Sequence, residues 1–115
     1  MKYKVKESAK VQNLNKEIKG ALMVMAAIYS KYGFEMVITS GNDGRHMKTS
    51  KHYTNDAVDL RIWGLEDAGF LKIIANELQI ALDNFMQGFQ VVIESDHYHV
   101  EWDPKNWNPQ RRFKL

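Results

Sequence analysis

Two pairs of residues set the chemistry open to this chain. His52 and Asp59 stand seven residues apart in "SKHYTNDAVDL", and His97 and His99 stand two apart in "DHYHVEW". The sequence has no cysteine, so disulfides are excluded and any metal must be held by His, Asp or Glu. In an alternating strand Asp59 falls on the face opposite Val58, Leu60 and Ile62, and His99 falls opposite Tyr98, Val100 and Trp102. If those strands are neighbours, Asp59 and His99 project from one surface, and His52 can fold back over it from the preceding loop. Two imidazoles and one carboxylate are the protein ligands of a catalytic zinc site, whose fourth position holds water. Zinc brings the pKa of such a water toward about 7, and a nearby carboxylate must then take the proton. Asp96, three residues before His99, is the first candidate for that base and Glu94 is the alternative.

Ordinary roles compete with these. Asp59 could simply pair with a neighbouring base such as Arg61, and histidines at i and i+2 share a face in any strand. His97 could stabilise a tetrahedral intermediate, support His99 or merely be exposed. Ser50 reads as a hydrogen-bonding turn residue, because nothing here suggests a nucleophilic triad. His46 reads as a loop residue, and Tyr53 and Trp102 read as packing residues.

The elements that must position these side chains follow from periodicity. Leu14, Ile18, Ala21, Leu22, Met25, Ile28, Tyr29 and Tyr32 have helical spacing, which predicts a helix over 13–32 with Asn13 as N-cap and Gly33 as its stop. "FEMVITS" predicts a strand over 35–39, and "GNDGRHMKTSK" has loop composition. "DAVDLRIW" alternates as a strand. A second helix is expected over 65–85, from Ala68, Leu71, Ile74, Ala75, Leu78, Leu82 and Phe85. "FQVVIES" and "HYHVEWD" then read as two strands joined by a tight polar turn. The predicted class is α+β, a small antiparallel sheet with two main helices packed on it.

The 115 residues predict a single domain over 1–115, with 105–115 an irregular basic tail containing Trp107, Arg111 and Arg112. An apolar share of 44% and a charged share of 26% are those of a globular chain, not a disordered one. The net charge is +2, which argues against a nucleic-acid partner. The run "ALMVMAAIY" is too short to cross a bilayer, so no stable membrane insertion is expected. The first twenty residues mix both charges and lack the apolar region of a signal peptide. Synthesis in the cytoplasm without a Sec signal is therefore expected.

Together these pieces resemble a known family. "SKHYTNDAVD" resembles the motif S-x-H-x-x-G-x-A-x-D of the zinc D-alanyl-D-alanine carboxypeptidases, VanX-type dipeptidases and phage L-alanyl-D-glutamate endopeptidases, with Ser50, His52, Ala57 and Asp59 in register. "DHYH" resembles the family's second motif through Asp96 and His99, and "ITSG" followed by Arg45 resembles the segment before the first. "ESDHYHVE" is also similar to the signalling domain of hedgehog proteins, which has the same fold and ligands. The resemblance spans roughly 36–103 and implies a hedgehog/DD-peptidase-like zinc fold. It implies His52, Asp59 and His99 as Zn2+ ligands, Asp96 as general base and later acid, and Arg45 as the contact for a substrate carboxylate or oxyanion. The motif glycine is Asn55 here, and asparagine tolerates the positive φ that such a glycine permits.

The implied activity is zinc-dependent hydrolysis of the peptide stems of bacterial peptidoglycan by a monomer. The chain resembles single-domain endolysins of phage or prophage origin, which reach the wall through a holin or similar lesion. An L-alanyl-D-glutamate endopeptidase fits this better than a D-alanyl-D-alanine carboxypeptidase. The alternative is a non-catalytic zinc-binding domain of the same fold, structural or signalling, which needs neither Asp96 nor Glu94.

Overall fold

The structure is a computed structural model that describes residues 2–41 and 54–106. In chain order the elements are strand β1 (Tyr3–Val5), helix α1 (Lys16–Lys31), strands β2 (Met36–Ser40) and β3 (Ala57–Arg61), helix α2 (Leu71–Phe85), and strands β4 (Phe89–Ile93) and β5 (His97–Trp102). A single 3-10 turn, Pro104–Asn106, follows. The five strands form one sheet in the order β1-β2-β3-β5-β4.

The expected α+β class is observed, but the sheet is mixed and not wholly antiparallel. β1 runs parallel to β2, pairing Tyr3 with Met36 and Val5 with Ile38, while the other three pairings are antiparallel. Tyr3 and Val5 alternate with Lys2, Lys4 and Lys6, which is a strand's period, but the run is short and β1 is absent from the expected elements. Both helices cover one face of the sheet. Ile18, Ala21, Leu22, Met25, Ala26 and Tyr29 of α1, and Ile74, Ala75, Leu78 and Leu82 of α2, form one core with Met36, Ile38, Val58, Leu60, Phe89, Tyr98 and Val100. Burying such side chains stabilises by about 1.5–3 kcal/mol each before chain entropy is charged against it. Tyr29 and Tyr98 meet edge to face, and each hydroxyl reaches a backbone carbonyl, of Arg61 and of Leu71 respectively.

Both helices begin later than their periodicity suggests. The N-cap of α1 is Asn15, not Asn13. The segment before α2 is a set of turns instead of helix, closed by Phe70 N–H to Leu65 O, with Gly69 at φ 80°. Leu65 is buried all the same, which is why its spacing read as helical. Gln79, on the inner side of α2, donates to Phe89 O at 3.0 Å and accepts from Val91 N–H at 2.8 Å. It thereby satisfies backbone groups of the edge strand β4, where a purely apolar side chain would leave them unpaired. Gly41 follows β2 where the N-terminal segment crosses it, and a Cβ there would collide with Lys10 O. No helix among the described residues is long and apolar enough to cross a membrane.

Candidate functional site

Alternation sorts the residues of β3 and β5 between the two faces of the sheet. Val58, Leu60, Tyr98 and Val100 enter the core. Asp59 and Arg61 of β3, with His97, His99 and Glu101 of β5, therefore occupy the face away from the helices. The register sets Asp59 directly across from His99 and Arg61 across from His97. β2 reaches this ladder through an irregularity between Ile38 and Ser40, so that Ser40 stands beside Asp59 and Thr39 Oγ1 donates to Asp59 O at 3.4 Å.

The side chains converge as the register requires. Asp59 Oδ1 lies 3.2 Å from His99 Nδ1 and 3.5 Å from His97 Nε2. His97 Nδ1 lies 2.5 Å from Asp96 Oδ1. On its other edge His99 Nε2 lies 3.1 Å from Glu101 Oε1, and Asn106 Nδ2 donates to Glu101 Oε2 at 3.2 Å. The result is a row of alternating carboxylates and imidazoles: Asp96, His97, Asp59, His99, Glu101. Asp59 is buried, whereas the Asp96 side chain is 83% exposed at the rim. Burial alone would lower the pKa of His99, but hydrogen bonds to Asp59 and Glu101, and the charges of those carboxylates, raise it on balance. The two carboxylates thus favour the protonated form of His99. When His99 is neutral, donation from Nε2 to Glu101 leaves the Nδ1 lone pair turned toward Asp59, the tautomer a metal ligand needs.

The turn feeding β3 is held from a distance. Asn55 adopts φ 64°, the only positive φ at a non-glycine among the described residues. This matches the expectation that asparagine would serve where the motif has glycine. Asn15 fastens the turn. Its Nδ2 donates to Thr54 O at 3.0 Å and to Asp56 Oδ1 at 2.5 Å, and its backbone N–H donates to Asn55 O at 2.9 Å. Thr54 Oγ1 donates to Asp56 Oδ2, and Trp102 N–H to Asp56 O. The N-cap of α1, the turn and β5 are thereby tied together.

Of the residues expected to act, the structure brings together Asp59, Asp96, His97 and His99. Glu94 sits at the β4–β5 turn, where its backbone N–H donates to His97 O, and is exposed. His52, Ser50 and Arg45 lie outside the described residues, as do His46, Tyr53, Trp107, Arg111 and Arg112. Among the described residues no group of three or more His, Asp or Glu is arranged to hold a metal ion. Asp59 and His99 supply two converging donors, and a third would have to come from elsewhere.

Glu101 and Asn15 were missed as contributors to the site. Strand parity had already put Glu101 on the His99 face, and that was its available signal. Asn15 had none, because its partners lie about forty positions away along the chain. Asp59, Asp96 and His97 also line an open cleft of about 370 Å³, with Lys6, Thr39, Arg61 and Trp63 as its other walls. No protein-family model matches the chain, and no curated protein matches it.

Proposed function

We propose that the chain is a zinc-dependent peptidase acting on the peptide stems of bacterial peptidoglycan, with a hedgehog/DD-peptidase-like zinc fold. The observation that carries this reading is the β3–β5 register, which sets Asp59 across from His99 with Oδ1 and Nδ1 3.2 Å apart. The positive φ of Asn55, at the motif's glycine position, adds independent support.

The donor chemistry fits zinc. A buried carboxylate and an imidazole steadied by Glu101 converge, and no sulfur ligand competes. Asp59 and His99 would hold the ion together with His52. When bound, zinc supplies Lewis acidity toward a scissile carbonyl and toward water. Asp96 has the position of a rim carboxylate, able to accept a proton from the attacking water and return it to the leaving amine. His97, 2.5 Å from Asp96 and 3.5 Å from Asp59, would hold that carboxylate in place and offer an N–H to developing negative charge. An open cleft suits a peptide that continues past the cut, so the L-alanyl-D-glutamate endopeptidase is favoured over a D-alanyl-D-alanine carboxypeptidase. An endolysin-like protein of phage or prophage origin, acting on the wall after release, is the setting we infer.

The test is Asp96→Ala, assayed for both zinc content and release of stem fragments. The expected result is stoichiometric zinc with cleavage lowered by at least roughly 100-fold. Cleavage at the wild-type rate would remove Asp96 from the mechanism. Zinc bound by the wild type with no cleavage would instead favour a non-catalytic zinc domain.

A further inference from the structure

The cleft beside Asp59 contains a cation that the reaction above does not use. Arg61 lies two positions along β3 from Asp59, on the same face, which sets their Cα atoms roughly 7 Å apart. Its guanidinium lies over the Trp63 ring, 3.7 Å from the centroid, and Trp63 itself is 74% exposed. No carboxylate among the described residues forms an ion pair with Arg61, and its Nε is buried without a hydrogen-bond acceptor. Lys6, exposed at the end of β1, lines the same cleft. Beyond Trp63 a second cleft is bordered by Glu66 and Asp67, and Asp96 lines both clefts.

An arginine that serves only the fold is ordinarily finished by an acid of its own chain. Arg61 is held flat by an indole instead, which fixes the plane of its donors without pairing them to an acid of the described residues. Glu66 and Asp67 make the far side of Trp63 wholly acidic, whereas on the near side, which Asp59 and Asp96 also line, Lys6 adds a second cation beside Arg61. We propose that Arg61, stacked on Trp63 and flanked by Lys6, is the subsite that receives a free carboxylate of the substrate peptide. The proposal rests on the peptidase reading and adds Arg61 to the recognition expected of Arg45. Because Arg61 and Asp59 share one face of β3 and one cleft, the carboxylate belongs to a residue near the bond held at Asp59 and His99.

The test uses two synthetic stem peptides that differ in one group, a glutamyl carboxylate that is free in one and a carboxamide in the other. With the zinc-loaded full chain, kcat and KM are measured for both. The wild type should favour the free acid by roughly tenfold or more, mainly through KM. Arg61→Gln should bring that ratio close to one, and Arg61→Lys should restore only part of it. Lys6→Gln, at an exposed position, should shrink the ratio and serves if the Arg61 variants fail to fold. An undiminished preference in Arg61→Gln, or equal losses on both peptides, would overturn the subsite. Should the wild type cleave neither peptide, the peptidase reading fails by itself. The same pair is then titrated calorimetrically onto wild type and Arg61→Gln. Tighter binding of the acid, lost in the variant, sustains the subsite, and equal or absent binding overturns it.

Discussion

Asn55 shows how one residue sets up the site. At φ 64° it sits where most side chains are strained, and the chain leaving it becomes β3 with Asp59 aimed away from the core. Asn55→Gly should leave the urea midpoint almost unchanged, whereas Asn55→Val should destabilise by about 1–2 kcal/mol. Equal midpoints for the two variants would mean that the turn does not need this conformation. The position was legible because a glycine slot filled by asparagine has one plain physical reading. His99 carries a second prediction. Its folded pKa is raised above the ordinary 6.5, so its contribution to stability is complete below that value and is lost as pH rises through the folded pKa. Metal-free protein should therefore lose stability on going from pH 6 to 8 by more than Glu101→Gln does, as read by urea unfolding at each pH. Zinc should show the opposite trend, since acid keeps the proton on the proposed ligand. Glu101→Gln should also weaken zinc binding by roughly 10–100-fold, measured by competition with a chromophoric chelator.

The secondary-structure elements were legible wherever burial imposes a period. α1, α2 and strands β2 to β5 appear where apolar spacing puts them, and strand parity alone separated Asp59 and His99 from the core residues. The rest depends on contacts between segments distant in sequence. β1 is defined by its pairing with β2, and that parallel pairing changes an expected antiparallel sheet into a mixed one. α2 begins at Leu71 because Gly69 adopts a positive φ, although the buried Leu65 continues the apolar spacing upstream. α1 begins after Asn15, whose side chain bonds the turn at Thr54–Asp56 in place of its own helix. Asn15→Ala should cost about 1 kcal/mol in chemical unfolding and should weaken zinc binding as well, because it frees the turn that leads into Asp59. A loss of stability with unchanged zinc affinity would confine Asn15 to fastening the turn without aiming Asp59.

For the molecule as a whole, a helix-covered sheet turns its other face into a row of ionisable groups. Two carboxylates meet across each of two single imidazoles there, His97 between Asp96 and Asp59 and His99 between Asp59 and Glu101. Zinc at about 1,000 times its Kd should stabilise the chain by about 4 kcal/mol, and Asp59→Asn or His99→Ala should abolish most of the accompanying rise in Tm. His52 and Arg45 remain the parts of the proposed site read from sequence alone, because they lie outside the described residues. The most direct measurement is digestion of purified peptidoglycan by zinc-loaded and chelator-stripped protein, with mass spectrometry of the released fragments. New termini that appear only with zinc, between L-alanine and D-glutamate, are the predicted result. Stoichiometric zinc with no new termini would contradict a peptidase.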